Sequence, residues 1–161
     1  MTYLTIRPAT PDDHDAIWVM LEPVFRAGET YAIDRDISRA DALAYWTAEH
    51  TFIAEDAGRS VGTFYIRRNQ KGGGSHVANA GYITARGAEG RGIARQMLTT
   101  SLDLARELGF AAMQFNLVVS TNTRAIATWE AAGFVEIGRV PLGFRQPNGS
   151  FTDALILHRF L

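Results

Sequence analysis

Hydrophobic and polar positions alternate with a period of two in some segments and of about 3.6 in others, which predicts strands interspersed with helices. Leu4 and Ile6 alternate with polar neighbours as a first strand, which Pro8 closes. Thr10 followed by Pro-Asp-Asp is typical of a helix start, and Gly28 of a helix end. The apolar side chains of this helix share one predicted face: Ile17, Leu21, Val24 and Phe25.

The next segment predicts a second helix and a hairpin. Ser38 lies three residues before an aspartate, as in a capping box, and residues 29–34 before it predict a loop. Two strand-like runs at residues 51–55 and 61–66 are joined by Asp-Ala-Gly-Arg, which predicts antiparallel pairing. The Lys-Gly-Gly-Gly-Ser run at residues 71–75 predicts another loop.

The second half of the chain continues to alternate between strand and helix periods. Its predicted elements are a strand at residues 76–84, a helix from Ile93 to a stop at Gly109, a strand at 111–119, a helix from Asn122 to Gly133, and closing strands at 134–140 and 153–160. No repeat or linker separates these elements. We therefore expect a single domain over residues 1–161, a length that one core can fill.

Composition narrows the classes of partner. The net charge of −1 gives no basic footprint for nucleic acid or an anionic membrane, so a small-molecule partner is favoured. The chain has no cysteine, which excludes disulfides, thiolate metal sites and a cysteine nucleophile, and we expect no metal. Neither a leader pattern nor an apolar run of about 18 residues is present, so we expect a cytoplasmic protein without a membrane partner.

The segment GAEGRGIA at residues 87–94, between a strand and a long helix, predicts an anion site. Glycines let backbone N–H groups approach an anion, and the helix dipole adds positive potential. Arg86, Arg91 and Arg95 strengthen this interpretation. A P-loop would need Lys and Ser/Thr after the last glycine, and a dinucleotide fingerprint would need glycine at Arg95. A turn that only caps the helix remains the simpler alternative.

The remaining pattern, strand then G-x-G-x-A then helix, resembles the diphosphate-binding motif of the GNAT superfamily of acyl-CoA-dependent N-acyltransferases. The segment N-x-x-A-x-x-x-W-E-x-x-G-F from Asn122 is similar to a second motif of that family, which has tyrosine in place of the tryptophan. The order of elements also resembles the GNAT fold over nearly the whole chain. The resemblance implies an α/β fold of the α+β type, with a mixed sheet of about seven strands, splayed between the fourth and fifth, and about four helices.

The same resemblance implies acetyl-CoA as the acyl donor. Its diphosphate would lie on the glycine turn, and its pantetheine along the preceding strand, whose backbone also offers an N–H to the thioester carbonyl. The helix that starts at Asn122 would hold the pantetheine side. The implied cofactor-binding residues are Tyr82, Ile83, Thr84, Gly90, Arg91, Gly92, Ile93, Ala94, Arg95, Asn122 and Trp129.

Two positions depart from the family pattern. Glu89 stands where the family usually has Arg or Gln, and we expect it to face solvent. Trp129 replaces the tyrosine commonly proposed to protonate the departing thiolate, and an indole cannot give up a proton near neutral pH. The enzyme must use water, another residue, or positioning of the two reactants alone.

Asn79 and Asn116 are the candidate acceptor-binding residues. Each is predicted mid-strand, where asparagine is disfavoured, and a buried amide needs a hydrogen-bond partner. Their amides either bind the carboxylate or amide of a substrate, or only satisfy backbone groups at a strand bulge. The segments around them resemble fungal N-acetyltransferases that act on proline analogues such as azetidine-2-carboxylate. Glu29 and Tyr31, in the loop that shapes the acceptor site of this fold, complete the catalytic candidates; His76 and Asp153 are further candidate bases.

Together these observations predict an N-acetyltransferase that moves acetyl from acetyl-CoA to a small amino-acid-like amine by direct attack in a ternary complex. A catalytically weak acyl-CoA-binding regulator and a protein N-terminal or ribosomal-protein acetyltransferase are the alternatives. We expect a homodimer.

Overall fold

The computed structural model describes residues 3–161 and contains every helix and strand that the sequence predicts. The strands are β1 Thr5–Pro8, β2 His50–Asp56, β3 Arg59–Arg68, β4 Val77–Thr84, β5 Ala112–Val119, β6 Val135–Arg145 and β7 Phe151–Phe160. The helices are α1 His14–Ala27, α2 Arg39–Trp46, α3 Ile93–Glu107 and α4 Thr123–Ala131. No helix in the described part of the chain is both long and apolar enough to cross a bilayer.

The strands form one mixed sheet in the order β1-β2-β3-β4-β5-β7-β6. Antiparallel pairs make up the sheet except between β4 and β5, which run parallel. Those two strands pair only at Val77 with Ala112 and at Ala78 with Met113, and then separate. β4 nevertheless stays paired with β3 as far as Thr84. The predicted splay is therefore confirmed, and we call the space between β4 and β5 beyond Ala78 the strand opening.

Apolar side chains cover both faces of the sheet. On one face, α3 and α4 pack on a cluster that includes Met97 and Met113; on the other, α1 and α2 pack on a cluster around Trp46. The indole N–H of Trp46, which is fully buried, donates to Oγ1 of Thr63 at 3.0 Å. The strand opening thus lies between two helical layers that are fixed by separate cores.

The start of the chain is tied to the sheet by Arg7. Its guanidinium donates to both carboxylate oxygens of Asp13 at 2.8 Å and to Glu55 at 2.8 Å. These bonds join β1, the start of α1 and β2. The Arg7 hydrogen bond lowers the pKa of the Asp13 carboxyl to about 2.

Two segments differ from the prediction. The glycine run expected as a loop contains a 3-10 turn at Gly72–Gly74. Strand β6 continues to Arg145 instead of ending near Val140, and its pairing with β7 is irregular on the way. There Leu142 has a φ of 50°, and its N–H donates to Oδ1 of Asp153 at 2.9 Å. Such a bulge breaks the period of two, which removed the strand signal from the sequence.

Candidate active site

The glycine turn between β4 and α3 has the backbone conformation that its glycines allow. Gly87, Gly90 and Gly92 have φ values of 83°, 76° and 76°, in the left-handed region that favours glycine. A Cβ atom added at any of the three would meet no heavy atom within 4 Å. The space over the turn is therefore open to a ligand.

Helix α3 begins beyond this turn without a capping side chain, because its N-cap residue is Gly92. No side chain of the described residues bonds the N–H groups of its first turn, which point where the helix dipole is positive. Arg91 forms an ion pair with Asp56 at the β2–β3 hairpin, whereas Arg86 and Arg95 form none with the described residues. The turn and these cations fit an anionic group such as a diphosphate.

Glu89 is exposed, as expected, but its carboxylate is not directed away from the turn. Its Oε2 accepts a hydrogen bond from the N–H of Gly87 at 2.7 Å. One donor of the turn is therefore engaged by a carboxylate of the chain itself. Glu89 thus faces solvent as expected and at the same time bonds to the turn two residues before it.

The backbone of β4 that faces the strand opening is hydrogen-bonded at Tyr82 by the side chain of Tyr31. The hydroxyl of Tyr31 accepts from the Tyr82 N–H at 3.0 Å and donates to the Tyr82 carbonyl at 3.0 Å. On the other edge of β4, the Ala85 N–H donates to the carbonyl of Val61 on β3. Alternate residues of a strand direct their backbone groups to the same side, so the N–H and C=O of Ile83, which pairs with Thr63, also face β3. Of the three predicted pantetheine residues, Tyr82 and Thr84 thus direct their backbone groups into the opening.

Burial raises the pKa of the Tyr31 phenol well above its ordinary value. The phenol is therefore protonated at neutral pH, which favours a hydrogen-bonding role over that of a base. Glu29, the other candidate from the same loop, is exposed. His76 is exposed too, and Asp153 pairs with Arg139 at 3.1 Å in addition to its bond to Leu142.

Trp129 of α4 lies against both strands that border the opening. The centroid of its ring is 5.3 Å from that of Tyr82 on β4 and 5.0 Å from that of Phe115 on β5. Its indole N–H has no acceptor among the described residues. Asn122 caps the same helix, since its Oδ1 accepts from the N–H of Ala125 at 3.4 Å.

The two candidate acceptor amides lie on the two strands that border the opening, Asn79 on β4 and Asn116 on β5, and they differ in environment. Nδ2 of Asn79 donates to the carbonyl of Gln114 on β5 at 3.0 Å, and its Oδ1 accepts from the hydroxyl of Tyr65 at 3.3 Å.

Asn116 is exposed, so the expectation that it is buried is wrong. Its Nδ2 donates to Oδ1 of Asn69 at 2.6 Å. The register of β5 shifts after Phe115, and this bulge explains how a mid-strand residue reaches solvent.

A further group beside Asn79 was not predicted from the sequence. Arg67 pairs with Asn79 in the β3–β4 register, and its guanidinium lies over the rings of Tyr45 and Tyr65. The period of two along β3 places Arg67 on the same face as the buried Thr63 and Tyr65. An arginine on a buried face was the signal that could have found it.

The described surface also contains two hollows of about 290 and 510 Å³. Both are lined by Glu49, His50 and Leu108, close to the C-terminal end of α3. None of the candidate residues lines either hollow. The turn and the strand opening, at the other end of that helix, therefore remain the candidate site.

Comparison with known proteins agrees with this geometry. Residues 15–134 match the model of the acetyltransferase (GNAT) family. The chain is 29% identical over 148 residues to the N-acetyltransferase aca1 of Schizosaccharomyces pombe, covering 80% of this chain and 71% of that protein.

Two solved structures are similar over nearly the whole chain. The structure of a GCN5-related N-acetyltransferase from Kribbella flavida has a TM-score of 0.93 at 36% identity, with 98% of each chain covered. A GNAT superfamily phosphinothricin acetyltransferase from Sinorhizobium meliloti, solved in complex with acetyl-CoA, has a TM-score of 0.87 at 21% identity, covering 100% of this chain and 89% of that one.

Proposed function

The chain belongs to the acetyltransferase (GNAT) family, and on this basis we propose that it moves an acetyl group from acetyl-CoA to the amine of a small amino-acid-like acceptor. One observation carries the proposal. The open edge of β4 runs from Asn79, at the start of the strand opening, to the glycine turn and the uncapped start of α3. A single strand edge thus connects the glycine turn to the polar groups around Asn79, which supports the proposal that donor and acceptor bind next to each other.

The residues of the turn fit the donor, which supplies an acetyl group already activated as a thioester. We propose that the first-turn N–H groups of α3 and those of the glycine turn hold the diphosphate, with Arg86 and Arg95 adding charge. The backbone of Tyr82 and Thr84 and the α4 helix would hold the pantetheine. The full set of proposed donor-binding residues is Tyr82, Ile83, Thr84, Gly90, Arg91, Gly92, Ile93, Ala94, Arg95, Asn122 and Trp129.

The chain's contribution to the transfer is mainly positioning and hydrogen bonding. We propose that the Tyr82 N–H, or the phenol of Tyr31 that is bonded to it, donates to the thioester carbonyl oxygen as negative charge develops there. Trp129 can only donate a hydrogen bond, so the departing thiolate takes its proton from water. Glu29 is the proposed acceptor of the proton that the amine must lose.

The acceptor is proposed to bind where β4 and β5 separate. Asn79 and Gln114 already link the two strands there, and Asn116 continues this polar row to Asn69. An amide row of this kind can hold the carboxylate or amide of a small substrate. Attack by the amine in a complex with both substrates then needs no covalent intermediate on the protein.

The proposal is tested by thiol release from acetyl-CoA in the presence of single amino acids, polyamines or peptides. Steady release with a small amino acid is the expected result. Release with peptides alone would instead support a protein acetyltransferase. Acetyl-CoA binding without turnover on any acceptor would favour the regulator and overturn the proposed acceptor class.

We also propose that the protein is a homodimer formed through β6 and β7. β6 is an edge strand, and Phe144 is its one buried residue. The two strands carry several exposed apolar side chains, namely Val135, Ile137, Val140, Leu142, Phe151 and Phe160. An apolar edge strand favours pairing with another chain, and a two-fold dimer would bury the same surface on both copies.

A further inference from the structure

The guanidinium of Arg67 has no carboxylate partner in the described part of the chain, and its polar groups are only partly satisfied there. One of its terminal nitrogens is fully buried and unpaired, and Arg67 takes part in no ion pair with the described carboxylates. Its neighbour Arg68, by contrast, pairs with Glu49 at 3.2 Å. Buried donors of a charged group are almost always paired in folded proteins. The unpaired nitrogen therefore indicates a partner that comes from outside the chain.

Two tyrosine rings hold this guanidinium in place. Its central carbon lies 3.8 Å from the ring centroid of Tyr65 and 4.3 Å from that of Tyr45. The two hydroxyl groups lie 3.3 Å apart. Stacking on aromatic rings stabilises the cation but leaves the N–H donors in its plane free. Arg67 is thus preorganised to donate to an anion without losing side-chain freedom on binding.

The location of Arg67 identifies which substrate it faces. It is opposite Asn79, at the point where β4 and β5 stop pairing. From Asn79, β4 runs five more residues, about 16 Å, before the glycine turn begins. This separation is too large for one side chain to serve the phosphates. Arg67 therefore belongs with the acceptor site and not with the diphosphate site.

We propose that Arg67 binds the carboxylate of the acceptor, so that the acceptor is a free amino acid and not a polyamine or a protein side chain. This inference rests on the proposed function and names its substrate class. A guanidinium offers two parallel N–H donors, which match the two oxygens of a carboxylate. Asn79, on the neighbouring strand, is placed to contact the same substrate. A second cation, such as the extra ammonium of a polyamine, would be repelled here.

The test compares each amino acid that is acetylated with its own carboxamide, which keeps the amine but lacks the charge. We expect the wild-type protein to use the acid at least tenfold better in kcat/KM. Arg67→Gln should lower kcat/KM for the acid about tenfold to hundredfold, mostly through KM, and leave the amide nearly unchanged. Arg67→Lys should recover part of the loss, since it keeps the positive charge but cannot donate two parallel hydrogen bonds to the carboxylate. Arg68→Gln, which removes the same charge one residue away, is the matched control.

Melting temperature and acetyl-CoA affinity are measured on every variant. Equal losses on acid and amide, or a lower melting temperature with the acid preference intact, would show that Arg67 only packs on the tyrosines, and would overturn the inference. Binding of an N-acetyl amino acid to the CoA complex, measured by calorimetry, gives a readout without turnover. Product binding that Arg67→Gln abolishes would support the inference even if the proposed mechanism were wrong. Product binding that Arg67→Gln leaves intact would overturn it.

Discussion

Gly92 combines two properties that only glycine offers at the start of α3. Its φ of 76° is strained for any other residue, by about 1–2 kcal/mol, and no side chain from residues 3–161 caps the first-turn N–H groups. We expect Gly92→Val to weaken acetyl-CoA binding at least tenfold, about 1.4 kcal/mol, because the new side chain covers the donors. Titration of the variant with acetyl-CoA by calorimetry or thermal shift measures this loss.

Gly109 provides the matched control for this prediction. It has a φ of 89°, meets no atom within 4 Å of an added Cβ, and follows the other end of the same helix. Gly109→Val should therefore cost similar backbone strain but leave the donor affinity unchanged. Equal acetyl-CoA affinity in both variants would contradict the diphosphate assignment.

Trp129 supports the site by packing, and its indole has no acceptor in the described residues. We expect Trp129→Phe to keep most activity, since the loss of one neutral hydrogen bond to the donor costs about 0.5–1.5 kcal/mol. Trp129→Ala should be worse, because it leaves Tyr82 and Phe115 without their shared neighbour. Steady-state kcat is the measurement. A thousandfold loss in the phenylalanine variant, about 4 kcal/mol, would mean that the indole takes part in the chemistry.

At the scale of elements, the hydrogen bond from Asn79 to Gln114 joins β4 and β5 just beyond the point where they separate. Asn116 makes no bond between these strands and is exposed. Asn79→Ala should therefore lower the free energy of unfolding by about 1 kcal/mol, whereas Asn116→Ala should leave it nearly unchanged. Both should reduce acceptor kcat/KM tenfold to hundredfold if they hold the substrate. Denaturant unfolding and acceptor kinetics on the two variants separate the roles, and a stability loss with unaltered kinetics would assign Asn79 to fold support alone.

The elements themselves could be predicted from the sequence because each rests on a local pattern. The apolar face of α1, the Ser38 cap of α2 and the glycine stop of α1 need only neighbours in sequence. The bulge at Leu142 escaped prediction because it cancels the period of two. The bond between Tyr31 and Tyr82 joins residues 51 positions apart, and the stack of Arg67 on Tyr45 depends on where α2 meets the sheet. Such contacts follow from tertiary packing, so the acceptor end was predicted less completely than the glycine turn.

At the scale of the whole molecule, the exposed apolar side chains of β6 and β7 predict the assembly. Ile137 is 56% exposed on the edge strand. We expect the wild type to sediment at twice the mass of one chain and Ile137→Asp to sediment as a monomer, since a buried unpaired carboxylate at a dimer interface is strongly unfavourable. Val19→Asp changes an equally apolar, 71% exposed side chain on α1 and should leave the dimer intact. A monomeric wild type, or a dimer insensitive to Ile137→Asp, would contradict this interface.

The hydroxyl of Tyr31 holds the same two backbone groups of Tyr82 that the donor is proposed to use. On this proposal, the pantetheine must displace the Tyr31 hydroxyl from Tyr82 before it can bond there. The two bonds to Tyr31 that are lost at Tyr82 offset those gained from the pantetheine, so the enthalpy of binding from this part of the site is small. The free energy needed to release the Tyr31 phenol also raises the apparent dissociation constant of acetyl-CoA. If the donor binds as proposed, the strand edge sets where it lies, and most of the net affinity must come from contacts at the phosphate end.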